Sequence, residues 1–303
     1  MKVLSFGSLN LDYVYSVEHF VRAGETISSL SRNVHRGGKG LNQSVALARA
    51  GVETYHCGRM GNDGAMLRDW LVENGVDVSN LKTDAENATG HAIIQVEPNG
   101  QNCIIICAGT NGLITEADID EALENFEAGD IMLMQNETSS RDYAIKAAAA
   151  KGIQVALNPS PITEELVNSD ALQYVKWFIL NEIEGRALTG EIEPNAICHA
   201  MKEKYPNCVV VLTLGGDGVV YYDGVTRISH GIFRVKAVDT TAAGDTFAGF
   251  FLATLAAGHE PAVALARASK ASAIAVSRPG ASDSVPTLDE VLTMDLGDPS
   301  PAV

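Results

Sequence analysis

The chain has 303 residues, and its 38 acidic and 22 basic side chains give a formal net charge of −16 with histidine neutral. Hydrophobic residues make up 46% of the chain and charged residues 20%, which is the composition of a globular protein and excludes general disorder. The acidic balance also excludes a general polyanion binder, so we expect neither nucleic acid nor an anionic membrane as a partner.

The five cysteines are scattered and include no Cys-x-x-Cys pair, so we expect neither a disulfide framework nor a zinc site. The apolar run after Met1 is too short for a signal sequence, and no run approaches the roughly 18 residues of a membrane span. We therefore expect a cytoplasmic protein.

Short β-branched runs alternate with alanine-rich amphipathic runs along most of the chain. We predict strands at residues 3–6, 55–60, 131–135, 153–157, 177–180, 208–214 and 232–238, and helices at residues 41–50, 66–74, 143–151 and 246–256. Because strand and helix alternate, the pattern indicates an α/β fold with a parallel sheet covered on both faces.

Two stretches break this alternation. Residues 11–36 carry no helical period, and residues 92–97 and 102–107 read as a hairpin around Pro98-Asn99-Gly100. Such strands need partners, so we predict a small β-sheet lid made from both stretches. The expected division is a body of residues 1–10, 38–87 and 111–303 and a lid of residues 11–37 and 88–110.

A glycine-rich cluster, Arg36-Gly37-Gly38-Lys39-Gly40-Leu41-Asn42, opens the first long helix. Its glycines let a ligand approach the backbone, exposed helix N–H groups favour an anion or hydroxyls, and Lys39 and Asn42 add donors. It is not a Walker A loop, because Gly40 follows Lys39. The alternative interpretation is a plain glycine turn into a helix.

A second cluster, Thr241-Ala242-Ala243-Gly244, leads into the last long helix and is followed by Asp245. Consecutive N–H groups of such small residues form an anion hole for developing phosphate charge. Asp245 has two interpretations. It either caps the helix, which is worth about 1 kcal/mol, or acts as the base that accepts the proton of an alcohol attacking a γ-phosphate.

Together the two clusters resemble the two signatures of the PfkB family of carbohydrate kinases, and within it the ribokinase group. Further matches follow in order along nearly the whole chain: Gly7-Ser8-Leu9-Asn10-Leu11-Asp12, Met134-Gln135-Asn136-Glu137, Leu157-Asn158-Pro159, Asn181-Glu182-Ile183-Glu184, Thr213-Leu214-Gly215-Gly216-Asp217-Gly218 and residues 273–286. The resemblance implies a ribokinase-like three-layer α/β/α sandwich with a mostly parallel central sheet and a small β-sheet lid. It also implies transfer of phosphate from ATP to a sugar hydroxyl, in the first place the 5-hydroxyl of D-ribose.

The resemblance further implies a role for each matching residue. The sugar would be held by Asn10, Asp12, Gly38, Lys39, Gly40, Asn42, Glu137 and the base Asp245, beside an anion hole of Ala242, Ala243 and Gly244. ATP would be bound by Asn181, Thr213, Gly215, Gly216, Asp217, Gly218, Gly244 and Ser269. Glu184 would hold Mg²⁺ through water. A monovalent cation, K⁺, would be bound by Asp239, Thr241, Ala275, Arg278, Gly280 and Ser284, four of them through backbone carbonyls.

Simpler interpretations stand beside these. Asn10 and Asp12 suit strand-end turns, and Asn181 with Glu184 has the spacing of a capping box. Arg36 and Leu41 depart from the family pattern close to the sugar. Fructose, a keto-deoxy sugar acid held by Arg36, and a nucleoside are therefore alternative substrates, and a non-catalytic sugar-binding protein is an alternative function. The resemblance implies a homodimer through the lids.

Overall fold

The computed structural model describes residues 1–302 as a mixed α/β fold with two sheets. The strands are β1 Val3–Phe6, β2 Asn10–Ser16, β3 Ser31–Gly37, β4 Thr54–Gly61, β5 Leu81–Asp84, β6 Gly90–Val96, β7 Asn102–Cys107, β8 Ile131–Met134, β9 Gln154–Leu157, β10 Val175–Asn181, β11 Val209–Thr213, β12 Val219–Tyr222 and β13 Arg227–His230. The α-helices are α1 Lys39–Arg49, α2 Ala65–Glu73, α3 Glu116–Leu123, α4 Arg141–Ala150, α5 Glu164–Val167, α6 Glu182–Thr189, α7 Pro194–Lys204, α8 Ala243–Ala256, α9 Pro261–Val276 and α10 Leu288–Thr293.

The larger sheet has the strand order β13-β12-β11-β10-β9-β8-β1-β4-β5. The strands from β11 to β5 in that order pair in parallel, whereas β12 and β13 continue the sheet antiparallel. Parallel strands deliver their carboxyl ends to the same edge of a sheet, which is where ligands bind in open α/β folds.

Helices cover both faces of this sheet, and successive side chains of one strand enter different cores. In β1, Val3 belongs to the core beneath α1, α2, α8, α9 and α10, while the next residue, Leu4, belongs to the core beneath α3, α4, α6 and α7. In β11, Val209 and Val210 divide in the same way. The predicted three-layer α/β/α sandwich is therefore confirmed.

The smaller sheet has the order β3-β2-β6-β7, and its strand β2 begins only four residues after β1 ends. The predicted hairpin is present, because β6 and β7 pair antiparallel from His91 opposite Cys107 to Val96 opposite Asn102. All six residues of the outer strand β7 are exposed. We call this sheet the lid.

The strand predicted at residues 232–238 is wrong. Its backbone groups bond to separate elements, Ile232 to Ser300 and Val238 to the Val276 carbonyl, so no ladder forms. The helix that follows, α8, begins at Ala243, earlier than predicted, because Ala242 takes the left-handed conformation (φ 58°) as its N-cap. Within residues 1–302 no helix has the length and apolar character needed to cross a membrane.

Candidate active site

The first turn of α1 lies directly against the loop that follows β1. A Cβ on Gly40 would overlap the backbone of Gly7 and Ser8, and Gly38 has φ +98°. Both glycines are therefore required, the first by close backbone approach and the second by a left-handed conformation. The glycine cluster therefore forms the bottom of a candidate site at the carboxyl end of β1.

The N–H groups at the start of α1 are not free for a ligand, although the sequence predicts open N–H groups there. The Lys39 N–H donates to Glu137 Oε2 at 3.1 Å, and Ser8 accepts from Gly40 through its hydroxyl at 3.4 Å and from Leu41 through its carbonyl at 3.0 Å. Ser8 Oγ also donates to Glu137 Oε2. The positive end of α1 therefore holds the Glu137 carboxylate, and Glu137 Oε1 has no donor among the described residues.

Asp12 presents a second carboxylate close to Glu137. No residue in the range 1–302 donates a hydrogen bond to it, and Gly37 leaves room for it, since a Cβ there would overlap the Asp12 carboxyl group. Burial, and then the charge of Glu137, raise the pKa of Asp12 to about 6. Burial also raises the pKa of Glu137. Two desolvated carboxylates suit the hydroxyls of a neutral sugar and oppose an anionic one.

Asn10 stands at the start of β2 beside these carboxylates. Its Oδ1 accepts from Asn111 Nδ2 at 2.8 Å, and the Asn111 amide also bonds both backbone groups of Leu9. The buried Asn111 therefore fixes the amide of Asn10 in place. Asn10 is more than a turn residue, because its side chain is oriented by a tertiary contact.

Asp245 is buried in the first turn of α8 and accepts two hydrogen bonds from α1. Asn42 Nδ2 donates to Oδ2 at 3.0 Å and Gln43 Nε2 donates to Oδ1 at 2.8 Å. The N-cap interpretation of Asp245 is wrong, because Ala242 is the N-cap and no side chain caps this helix. Two neutral amides thus orient a carboxylate that can still accept a proton.

Sequence reasoning did not select Gln43. Its Oε1 accepts from Gln135 Nε2 at 2.6 Å, and its Nε2 also lies 3.2 Å from Asn158 Oδ1. The amide of Gln43 therefore connects Asp245 to the loops after β8 and β9. The signal available in the sequence was a run of three polar residues, Asn42-Gln43-Ser44, between the apolar Leu41 and Val45 of the same helix.

The N-terminus of α8 differs from that of α1 because its N–H groups are open. Ala243 N–H reaches the Thr240 carbonyl at 3.3 Å, but the N–H groups of Gly244 and Asp245 have no acceptor within the part of the chain that the structure describes. Gly244 is exposed, and a Cβ placed on it would meet nothing within 4 Å. Ser272 Oγ donates to the Ala243 carbonyl at 3.1 Å and steadies this turn. The geometry is that of an anion site at a helix start.

Five of the six residues predicted to bind a monovalent cation lie on two loops joined through Asp239, and the sixth, Ala275, lies in the last turn of α9. Its Oδ1 accepts from the Thr241 N–H at 2.9 Å and its Oδ2 from the Gly280 N–H at 3.0 Å. Burial would raise the pKa of Asp239, but these hydrogen bonds outweigh it and lower the pKa. Ser284 Oγ is buried in the second loop and donates to the Ala281 carbonyl. Arg278 N–H donates to the Ala275 carbonyl, and its side chain pairs with Glu290 at 2.6 Å.

The predicted nucleotide residues form two turns. Asn181 and Glu184 make the capping box of α6, each accepting from the other's N–H at 2.9 Å, so that interpretation is confirmed. Burial raises the pKa of Glu184. After β11, residues 215–217 form a 3₁₀ turn ending at Gly218, which has φ +102° and where a Cβ would overlap the His230 carbonyl oxygen. Thr213 Oγ1 donates to the Leu180 carbonyl at 3.3 Å, and Ser269 is half-buried on α9.

Neither Leu41 nor Arg36, the two departures from the family pattern near the sugar, presents a free side chain to a ligand. Leu41 is fully buried in the core under α1 and does not line a pocket. The Arg36 guanidinium pairs with Asp283 and lies over the ring of Trp70, 3.8 Å from its centre, so it is not free to hold a sugar acid. Among residues 1–302, no group of three or more His, Cys, Asp or Glu side chains could hold a metal ion by itself.

Comparison with known proteins places this site in context. Residues 1–288 match the family model described as pfkB family carbohydrate kinase. The ribokinase of Haemophilus influenzae is 35% identical over 295 residues, covering 94% of this chain and 95% of that protein. The crystal structure of a Cryptococcus neoformans ribokinase in complex with ADP matches with a TM-score of 0.85 and 32% identity over 96% of this chain and 98% of that one.

The structure of the Arabidopsis thaliana ribokinase complexed with ribose and ATP matches with a TM-score of 0.85 and 29% identity, covering 96% of this chain and 97% of that one. Sequence and fold agree over nearly the full length of all these proteins. This chain therefore belongs to the pfkB family of carbohydrate kinases.

Proposed function

We propose that the chain is an ATP-dependent ribokinase, which transfers the γ-phosphoryl group of ATP to the 5-hydroxyl of D-ribose and yields ribose 5-phosphate and ADP. The observation that carries this proposal is the pairing of a held carboxylate with open N–H groups: Asp245 is bonded by Asn42 and Gln43, while the N–H groups of Gly244 and Asp245 have no acceptor in residues 1–302. Ribokinases that match over nearly the whole chain support it.

The sugar is held by oxygens that have no protein donor. Asp12 and Glu137 Oε1 accept hydroxyl protons, and Asn10 and the backbone around Gly38 and Gly40 shape the end of the pocket. The same carboxylates disfavour a keto-deoxy sugar acid, because its charge would enter an already acidic pocket. Burial raises the pKa of Glu137, and the charge of nearby Lys39 opposes that rise and so moderates the negative charge of the pocket.

Phosphoryl transfer then needs a base and an anion hole. The 5-oxygen attacks the γ-phosphorus, its proton passes to Asp245, and the bond from phosphorus to the β,γ-bridging oxygen breaks to release ADP. The N–H groups of the anion hole, Ala242, Ala243 and Gly244, together with Asp245, face the charge that develops on the transferred group. Ala243 contributes least, since its N–H already reaches the Thr240 carbonyl.

ATP and its metal complete the proposal. The nucleotide would lie along Asn181, Thr213, residues 215–218 and Ser269, and Glu184 would hold Mg²⁺ through water. Mg²⁺ supplies neutralisation of phosphate charge. K⁺ would be held by oxygens of Asp239, Thr241, Arg278, Gly280 and Ser284 on two loops and of Ala275 at the end of α9, where it would steady the start of α8.

The proposal extends to assembly and location. Strand β7 forms an exposed edge on which Ile104, Ile105 and Ile106 are 49%, 60% and 65% exposed, so two lids can pair into a homodimer. The proposed location is the cytoplasm, where ATP is available. Sedimentation at micromolar concentration checks the dimer, and a monomer there contradicts it.

A substrate panel tests the function. The purified protein is given MgATP, KCl and, in turn, D-ribose, 2-deoxyribose, fructose, a keto-deoxy sugar acid and a nucleoside, with release of ADP as the readout. D-ribose should give the highest kcat/KM, and the Asp245→Asn variant serves as the control. ADP release that no sugar raises above this control would contradict the proposal and favour a binding protein.

A further inference from the structure

Arg36 connects the lid to a loop of the body. It lies near the end of β3, a strand that is otherwise largely exposed, and its guanidinium carbon is 3.8 Å from the centre of the Trp70 ring on α2. Its Nη2 pairs with Asp283, and Trp70 Nε1 donates to Ser282 Oγ at 3.0 Å. Arg36, Trp70 and Asp283, which we call the latch, therefore join three separate parts of the chain.

The latch is shielded from water on one side. The Arg36 side chain is 27% exposed, and its Nε is buried without a partner among residues 1–302. A guanidinium that stacks on an indole away from solvent gains more than an exposed ion pair does. The buried Nε without a partner offsets part of that gain.

One end of the latch reaches the sugar pocket. Arg36 is paired with Leu11 in the lid sheet, and the next residue, Gly37, lies against the Asp12 carboxylate. A displacement of Arg36 therefore moves Gly37, whose lack of a side chain leaves room for the Asp12 carboxylate. Arg32, four residues earlier on the same strand, lies instead over the ring of Tyr13 within the lid, 5.0 Å from its centre.

The other end of the latch reaches the anion hole. Asp283 belongs to the loop of residues 280–285, in which the Gly280 N–H donates to Asp239 Oδ2. Asp239 in turn accepts from Thr241, the residue before Ala242 at the start of α8. A continuous series of contacts thus runs from the lid to the N–H groups that face the transferred phosphoryl group.

We propose that Arg36 is a positioning residue, which latches the lid onto the loop of residues 280–285 so that the sugar pocket and the anion hole reach their working positions together. Its kinetic consequence rests on the proposed function. Without the latch a larger fraction of molecules has the lid displaced, and the apparent affinity for sugar falls in proportion.

The kinetic test compares Arg36→Met, which removes the charge and keeps the length, with Arg32→Met as matched control. Arg36→Met should raise KM for D-ribose roughly tenfold with kcat within about twofold, and Arg32→Met should change neither. Asp283→Asn should raise KM less, and adding it to Arg36→Met should raise KM no further. An unchanged KM in Arg36→Met, even with a lower melting temperature, would show a purely structural contact.

A second readout needs no turnover. Hydrogen exchange of the ligand-free protein should quicken in Arg36→Met both at residues 280–285 and at residues 239–245, and in Arg32→Met at neither. Faster exchange confined to β3 overturns the latch. If Arg36→Met does not fold, Arg36→Lys, which keeps the charge without the planar stack, should give smaller changes in the same segments. If no sugar leads to release of ADP, the proposed function is wrong. The hydrogen-exchange data still test independently whether Arg36 couples the lid to residues 280–285.

Discussion

Replacing Asp12 by asparagine should stabilise the ligand-free protein while it weakens sugar binding. The carboxylate has no hydrogen-bond donor within residues 1–302, and burial and Glu137 raise its pKa from 3.8 to about 6. A carboxyl group whose pKa is raised on folding binds its proton more tightly in the folded state. Its charge therefore costs stability above pH 6, and that cost disappears as the pH falls towards 3.8.

The size of the effect follows from these two pKa values. At about 1.4 kcal/mol per pKa unit, the ionised form of Asp12 costs at most about 3 kcal/mol near pH 7 and about 1 kcal/mol near pH 4.5. An asparagine at this position carries no charge at either pH, so Asp12→Asn should raise the free energy of unfolding most at neutral pH. The same change removes an acceptor for sugar hydroxyls and should raise KM for D-ribose at least about tenfold.

Urea unfolding of the ligand-free wild type and Asp12→Asn at several pH values between about 4.5 and 7.5 measures this directly. Glu203→Gln, at an exposed position on α7, is a suitable control for a carboxyl-to-amide change and should leave the free energy of unfolding nearly unchanged. The reasoning is refuted if Asp12→Asn is destabilising at neutral pH, or if its effect on stability does not shrink as the pH is lowered.

Further predictions concern the base and its supports. Asp245→Asn should bind D-ribose and ATP, measured by calorimetry, but turn over at least about 10²-fold more slowly; near-normal turnover would exclude it as the base. Gln43→Met removes one donor to Asp245 and should lower kcat about tenfold with little change in KM, whereas a change in KM alone would contradict that role. Gly40→Ala, whose Cβ would overlap the Gly7 backbone, should lower the melting temperature far more than Gly244→Ala, which meets nothing within 4 Å. Binding of ATP should weaken strongly when EDTA removes divalent metal, and tight metal-free binding would argue against local neutralisation in a chain of net charge −16.

Much of the fold could be predicted because local pattern decides it. The strand β1 and the hairpin of β6 and β7 follow from short β-branched runs bounded by turn residues. Residues 232–238 carry a similar run, yet they form no strand, since Ile232 and Val238 find their partners on the C-terminal segment and on α9. No local signal distinguishes the two cases, because the difference lies in which neighbours the tertiary structure supplies.

Part of the site could likewise be predicted from the sequence, and part could not. The motif and the family resemblance are enough to select Asp245 and the small residues before it as candidates. Glu137 accepts from the Lys39 N–H at the start of α1, 98 positions away, and Asp245 accepts from Gln43, 202 positions away. No motif encodes contacts between residues so far apart. For the same reason the pairing of Arg36 with Asp283, 247 positions away, cannot be predicted from the sequence, where Arg36 suggests a contact to the sugar instead.

Identification of the product tests the central claim most directly. The purified protein is incubated with D-ribose, MgATP and KCl, and the product is examined by phosphorus-detected NMR, with Asp245→Asn run in parallel. The account predicts a phosphate on the 5-oxygen of ribose, formed in step with ADP and at least about 10²-fold more slowly by Asp245→Asn. A phosphate on the 1-oxygen, no sugar phosphate at all, or equal rates from the two proteins would contradict it.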